Sequence, residues 1–211
     1  MNYPIWELDW LGGPSLIALV SIIHVYVAQL AVGGGIFLFF LDWWAQRSGD
    51  AGLLDFVRTH TRFFLLLTMV FGGVTGVGIW FTIAVVNPAA TSLLVHEYVF
   101  AWAIEWVFFM VEIVALLVYH YAFDALRPTD RLKVAGIYAF AAWASLVVIG
   151  GILSFMLTPG GWVESGSFWD GFFNPTFLPS VVFRTSVALS LAGLFALITA
   201  MRQRFEPIRP E

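Results

Sequence analysis

Five long apolar stretches account for most of the chain and limit what it can fold into. A helix that crosses a bilayer needs about 20 consecutive, mostly apolar residues, and five stretches of the 211-residue sequence reach that length. Only 11% of the residues are charged, whereas soluble domains carry roughly a quarter. The sequence therefore predicts an all-α integral membrane protein in which residues 1–211 form a single transmembrane domain, with no room for a soluble one.

Turn-forming residues mark the limits of the predicted helices. The second helix stops at Asn87-Pro88, and the fourth stops at Thr158-Pro159, because these residues do not extend a helix. The five predicted helices cover approximately residues 15–44, 62–86, 97–123, 132–157 and 178–201.

The basic residues predict how the helices are oriented. Cytoplasmic loops of membrane proteins are enriched in Lys and Arg, and the loops that alternate with the basic ones here contain acidic residues only. We therefore expect the N-terminus outside and the C-terminus in the cytoplasm, in a multi-pass protein of a bacterial or archaeal-type cytoplasmic (inner) membrane. The basic residues on the predicted cytoplasmic side are Arg47, Arg58, Arg62, Arg127, Arg131, Lys133, Arg202, Arg204 and Arg209.

Several classes of site and partner are excluded by composition. The chain has no cysteine, which excludes disulfides, thiolate zinc sites, iron–sulfur clusters and covalent attachment of a c-type haem. Its net charge is -4, without a run of like charges, so a nucleic-acid partner is not expected. Met1 to Trp10 contain no basic residue, so a cleavable signal peptide is not expected either.

An aromatic segment precedes the fifth helix. Residues 160–175 contain Trp162, Phe168, Trp169, Phe172 and Phe173, and such side chains favour the headgroup level of a membrane. We expect this segment to form a short interfacial helix. It would serve as an anchor in the interface, or alternatively as a lid over a site or a docking surface for an outer partner.

Four ionisable residues lie within the apolar stretches: His24, Glu105, Glu112 and Arg184. A charge at mid-bilayer costs on the order of 2.5–3.5 kcal/mol on insertion scales, so such a residue is a functional hypothesis by default. With a rise of about 1.5 Å per residue, the imidazole, the first carboxylate and the guanidinium share one layer of the outer leaflet. Glu112 lies on the same helix face as Glu105, about two turns deeper, which is where a proton path would run.

Each of these residues also has a purely structural interpretation. His24 could hydrogen-bond a neighbouring helix, and Glu105 could form an ion pair with Arg184 that removes two costs at once. Asp42 and Asp124 lie at the inner boundary and need no special role. The remaining histidines, His60, His96 and His120, are expected in interfacial water.

Haem b fits the outer-leaflet layer better than a compact metal site does. Imidazole and carboxylate suit a transition metal, but a compact site would need more ligands than this layer supplies. Haem iron takes a single protein ligand, for which His24 is the candidate. Arg184 could then neutralise a haem propionate through its fork of donors, and Glu105 could contact the same cofactor.

Several motifs resemble subunit I of the cytochrome bd quinol oxidases. They occur in the family's order, with a matching number and orientation of helices, and they cover nearly all of this chain but only the N-terminal half of that subunit. The motifs are Ser21-Ile22-Ile23-His24-Val25-Tyr26-Val27, Phe71-Gly72-Gly73-Val74-Thr75-Gly76, Ala103-Ile104-Glu105 followed by Glu112, and Ser167-Phe168-Trp169-Asp170 followed by Asn174-Pro175.

The resemblance implies roles for particular residues. His24 matches the family's haem iron ligand near the outer side, and Glu105 matches the carboxylate facing the same haem region. Glu112 approximates a second family glutamate, but its spacing from Glu105 is one residue shorter than the family's. Arg184 stands where the family has the histidine that ligates the low-spin haem b, so that ligand is lost. The family's quinol-binding loop and further haem ligands lie beyond the matching half.

The sequence therefore predicts a haem b-binding membrane subunit of a respiratory electron-transfer complex. Such a subunit would pass electrons between the quinone pool and an outer-side redox partner such as a cytochrome c. It would need other subunits, one of which could be a second bd-like chain, and the surrounding membrane lipid. Three alternatives remain open: a haem-free bd-like anchor or scaffold, half of a split bd-type quinol oxidase, and a small-solute or proton transporter.

Overall fold

The computed structural model describes residues 4–205, and the side chains of residues 4–202. The described chain is helical, and five of its helical stretches are long and apolar enough to cross a membrane, as predicted. The helices are α1 Gly13–Ser48, α2 Ala51–Leu65, a π-helical segment Leu66–Gly72, α3 Gly73–Val86, α4 Pro88–Glu97, α5 Val99–Tyr121, α6 Pro128–Leu157, α7 Trp162–Ser165, α8 Phe168–Phe172 and α9 Phe177–Phe205.

The second membrane-crossing stretch is longer than the sequence predicted. It begins at Ala51 rather than near Arg62, and it continues through the π-helical segment to Val86. Asp50 caps its start, since its carboxylate accepts a hydrogen bond from the Leu53 amide at 3.0 Å. The charged residues of this first part suggested a loop, but they lie on one exposed face of an amphipathic helix.

Asn87-Pro88 ends one helix and also begins another. The predicted stop after Val86 is correct, but α4 follows at once and was not predicted. The Asn87 side chain accepts from the Ala90 amide at 3.3 Å, and Pro88 occupies the first turn of α4, where its missing N–H costs nothing. The same two residues therefore turn the chain towards α5.

Two short helices, α7 and α8, form the aromatic segment before α9. The sequence predicted one short helix here, and its placement at the membrane interface remains a prediction. Gly160 and Gly166 adopt φ values of +61° and +64°, a left-handed conformation that glycine adopts without strain.

The two ends of the helix bundle differ in charge. We call the end formed by the N-terminal segment, α4 and the segment 158–176 the acidic end, because its charged residues among those described are Glu7, Asp9, Glu97, Glu164 and Asp170. The opposite end, which carries Arg47, Arg58, Arg127 and Arg202, is the basic end. Arg209 and the C-terminus lie outside the described residues.

Helix α1 lies at the centre of the bundle and packs against α2, α3, α6 and α9. Three successive glycines allow this close packing. A Cβ on Gly33 would lie 1.9 Å from the Ala188 carbonyl oxygen of α9, and those on Gly34 and Gly35 would meet the rings of Phe64 and Tyr138. Small residues at helix contacts are a common basis of packing in membranes.

Substituting Gly33 should therefore destabilise the bundle. Gly33→Ala forces α1 and α9 apart, and overpacking of this kind costs about 1–3 kcal/mol, so we expect a lower melting temperature in detergent. Gly73→Ala is the matched control, because a Cβ at Gly73 meets no atom within 4 Å. Equal melting temperatures for the two variants would contradict the tight α1–α9 contact.

A buried ion pair joins three helices at the basic end. The Arg131 guanidinium donates to both carboxylate oxygens of Asp42, at 2.9 and 2.8 Å. Tyr119 and Gln46 each donate a further hydrogen bond to that carboxylate at 2.9 Å, and the guanidinium lies over the Phe123 ring. Asp42, for which the sequence suggested no special role, has a fully buried side chain that connects α1 to α5 and α6.

Candidate haem site

His24 lies on α1 and faces α3. Its Nδ1 is 3.1 Å from the Thr75 hydroxyl oxygen, and the ring fills the space above Gly76, where a Cβ would come within 3.1 Å of His24 Cε1. The ring is half-buried. The predicted alternative, a hydrogen bond to a neighbouring helix, is therefore present, and it leaves the second ring nitrogen to be explained.

The surroundings of Thr75 favour a proton on Nδ1 of His24. The Thr75 hydroxyl has the backbone carbonyls of Phe71 at 2.8 Å and Gly72 at 3.1 Å as acceptors. A hydroxyl has one proton to donate; when that proton goes to either carbonyl, the oxygen accepts from His24 and the neutral ring carries its proton on Nδ1. Nε2 then keeps its lone pair, which is the form in which imidazole binds iron.

Glu105 and Arg184 are held by serines rather than by each other. Ser145 on α6 donates to the Glu105 carboxylate at 3.0 Å, and Arg184 donates to Ser180 on its own helix at 3.1 Å. Among the described residues no salt bridge joins Glu105 to Arg184, so the structure does not contain the ion pair considered above. Both half-buried groups keep hydrogen-bonding capacity for another partner.

Glu112 lies further along α5, near Tyr138 on α6. The Tyr138 hydroxyl also donates to the Ala31 carbonyl of α1 at 3.0 Å. This chain of polar groups links α5, α6 and α1 below Glu105, in the middle of the bundle. It lies where the sequence predicted a proton path.

His24, Glu105 and Arg184 occupy one layer but three separate helix contacts. Counted from the starts of α1, α5 and α9, they lie roughly 9 to 17 Å below the acidic end. The structure shows no direct hydrogen bond between any two of them within its described part.

His60 differs from its prediction. It is fully buried rather than in interfacial water, because the helix that carries it begins at Ala51. Its Nδ1 is 2.7 Å from the Thr199 hydroxyl of α9, and the rings of Phe37, Phe56 and Phe64 surround it. Sequence reasoning missed both this environment and the role of Thr75, since each His–Thr pair joins distant parts of the chain.

The donor groups fit haem better than a multi-ligand metal site. Nowhere among the described residues do three His, Asp or Glu side chains come together as they would around a metal ion. His24 instead offers a single oriented Nε2, which is sufficient for haem iron, and Arg184 offers unused donors in the same layer.

Comparison with known proteins places this chain in a family. Residues 15–205 match the family described as cytochrome bd terminal oxidase subunit I. The comparison with curated proteins gives no match. The solved structure of bd oxidase from Geobacillus thermodenitrificans is similar in fold, with a TM-score of 0.73 and 21% identity, over 91% of this chain and 52% of that one. This chain thus spans about half the length of the solved relative, and it belongs to the cytochrome bd terminal oxidase subunit I family.

Proposed function

We propose that this chain is a haem b-binding membrane subunit of a respiratory electron-transfer complex, passing electrons between the quinone pool and an outer-side redox partner. The observation that supports the proposal is the contact of His24 Nδ1 with the Thr75 hydroxyl, an arrangement that would leave Nε2 to bind iron. Haem, when bound, supplies a one-electron carrier. Family membership over residues 15–205 supports a respiratory role.

The protein's own groups would hold and tune that haem. His24 supplies the iron ligand, and Arg184, whose only hydrogen bond in the described structure goes to Ser180, offers donors that neutralise a propionate. Ser145 donates a hydrogen bond to the Glu105 carboxylate and so would orient it beside the haem. Glu112, beside Tyr138, would hold or pass protons towards the middle of the membrane.

Partners are suggested by the family and by the charge of the chain. Membership of a terminal oxidase subunit family supports other subunits in the complex, one of them a second bd-like subunit. The acidic end, predicted to face outward, would suit a cationic redox partner such as a cytochrome c, because complementary charge accelerates encounter.

A split quinol oxidase is the second candidate, and membership of a terminal oxidase subunit family supports it. In that case another subunit of the complex carries the missing haem ligands. The two candidates differ in oxygen consumption, which the complex would show only if it were a split oxidase.

Addition of a quinol to the purified complex tests the function. We expect the absorbance bands of haem b to change to the reduced form, and to return to the oxidised form on addition of an outer-side electron acceptor. A haem that dithionite reduces but no quinol reduces would contradict a role in quinone-linked electron transfer.

Substitution of Thr75 tests whether the hydroxyl positions the proposed ligand. Thr75→Val keeps the shape of the side chain but removes the hydroxyl that contacts His24 Nδ1. Loss of a group that hydrogen-bonds a metal ligand typically weakens metal binding 10–100-fold. We expect faster loss of haem to a competing haem acceptor and a shifted reduction potential, with both restored in Thr75→Ser.

Thr68→Val is the matched control for that series. Thr68 also donates to a carbonyl four residues back, that of Phe64, at 2.8 Å, but it does not contact His24. Equal haem loss from the Thr68 and Thr75 variants would show that only the helix backbone had been disturbed.

A further inference from the structure

Two buried hydrogen-bond donors at the acidic end have no acceptor within the described part of the chain. They are the Tyr98 hydroxyl and the Trp102 indole N–H, whose polar atoms are shielded from solvent and lack a hydrogen-bond partner. Tyr98 is fully buried. The two residues lie one helical turn apart, so their side chains project from the same face at the start of α5.

Unpaired donors at this position call for an explanation. A buried polar group without a partner is costly, and tyrosine and tryptophan usually find a partner when buried. Phenylalanine would fill the tyrosine space without that cost. Two such donors within one turn therefore indicate a ligand that carries hydrogen-bond acceptors.

The surroundings of the two donors are flat and aromatic. The Tyr98 ring lies 4.7 Å from Phe155 and 5.3 Å from Phe168, between ring centroids, and Trp102 packs against the same cluster. On the other side, the Trp102 ring lies 4.9 Å from Trp80 of α3. Such walls suit a planar apolar ring.

The segment 158–176 covers the tyrosine. Gly171 of α8 lies directly over it, so that a Cβ there would be 2.5 Å from the Tyr98 hydroxyl oxygen. Gly160 and Gly166, with their positive φ values, bound the α7 turn within this cover. A ligand that reached the hydroxyl would displace the α8 part of the segment, which is the lid that the sequence suggested as one alternative.

We propose that Tyr98 and Trp102 donate hydrogen bonds to the headgroup of a membrane quinone that enters beneath the segment 158–176. A quinone is a flat ring with carbonyl acceptors and no donors of its own, so it complements two donors set among aromatic rings. The inference rests on the proposed function, to which it adds a quinone site.

The position of the site relative to His24 supports this assignment. Trp80, which contacts Trp102, lies one turn along α3 from Gly76, which contacts the His24 ring. One turn of α3 thus separates the residue that contacts Trp102 from the residue that contacts the proposed haem ligand.

Quinone binding to the purified complex in detergent tests the proposal, with a short-tailed ubiquinone and a short-tailed menaquinone as probes in isothermal titration. We expect Tyr98→Phe and Trp102→Phe each to weaken binding of the preferred probe by about tenfold, the effect of one hydrogen bond. The melting temperature of Tyr98→Phe without quinone should not fall, because an unpaired hydroxyl has been removed.

Tyr121→Phe and Trp44→Phe are the controls, because these side chains are 77% and 62% exposed, lie away from the segment 158–176, and should leave affinity unchanged. Unchanged quinone affinity in both Tyr98→Phe and Trp102→Phe would overturn the proposal. So would loss of a co-purified phospholipid from these variants with quinone affinity intact, since the donors would then serve a lipid ester carbonyl.

Haem content measured on the same preparations separates this inference from the proposed function. Tyr98-dependent quinone binding by a preparation without haem would support the quinone site and contradict the haem assignment. A preparation that contains haem but binds quinone equally well in the Tyr98 and Trp102 variants would support the haem assignment and contradict the quinone site.

Discussion

Replacing Arg131 with methionine should lower the free energy of unfolding by about 3–5 kcal/mol, the typical cost of leaving one buried charge without its partner. Asp42 is fully buried, and Arg131 supplies two of its four hydrogen bonds. We expect a large drop in the melting temperature of the chain in detergent, measured by circular dichroism.

Two further variants define the cause of that drop. In Arg131→Met with Asp42→Leu both charges are removed, and much of the stability should return, because apolar residues often replace a buried ion pair without loss. Arg127→Met breaks an exposed pair with Asp130 and should leave the melting temperature nearly unchanged. Equal effects of Arg127→Met and Arg131→Met on the melting temperature would contradict the stabilising role of the buried Asp42–Arg131 ion pair.

Replacing His24 with alanine should abolish haem binding by this chain. The variant removes the only proposed iron ligand, and neither Thr75 nor the backbone at Gly76 can supply another. We expect the Soret band assigned to this subunit to disappear while the helix content and the melting temperature of the chain without haem stay close to wild type.

His60→Ala is the control that separates ligand loss from damage to the fold. This variant also removes a histidine that is hydrogen-bonded to a threonine of another helix. It leaves a cavity among phenylalanine rings, so it should lower the melting temperature more than His24→Ala does. Haem should nevertheless stay bound. If His60→Ala lost haem and His24→Ala kept it, the ligand would be misassigned.

The membrane-crossing helices were predictable because length and apolar composition alone determine them. What the sequence obscured was local. Charges at Asp55 and Arg58 resembled a loop although they lie on the exposed face of α2, and Asn87-Pro88 resembled a simple stop although Asn87 also caps α4. The charged residues are compatible with α2 because they lie on its exposed face. Asn87 follows the last residue of α3, and its side chain stabilises the start of α4.

The candidate site was predictable only in part. His24, Glu105, Glu112 and Arg184 stand out because ionisable residues are rare in apolar stretches. Their partners do not stand out, since Thr75 and Ser145 are ordinary helix residues that only tertiary packing brings into contact. Tyr98 and Trp102 are two of many aromatic residues, and only their missing acceptors distinguish them.

The most direct test of the central claim is the haem content of the purified complex, measured by the pyridine haemochrome spectrum together with a reduced-minus-oxidised spectrum, in wild type and His24→Ala. The proposed function predicts haem b in the wild-type complex and one haem fewer per copy of this chain in the variant. An unchanged haem content in a well-folded variant, or a wild-type complex without haem b, would contradict it.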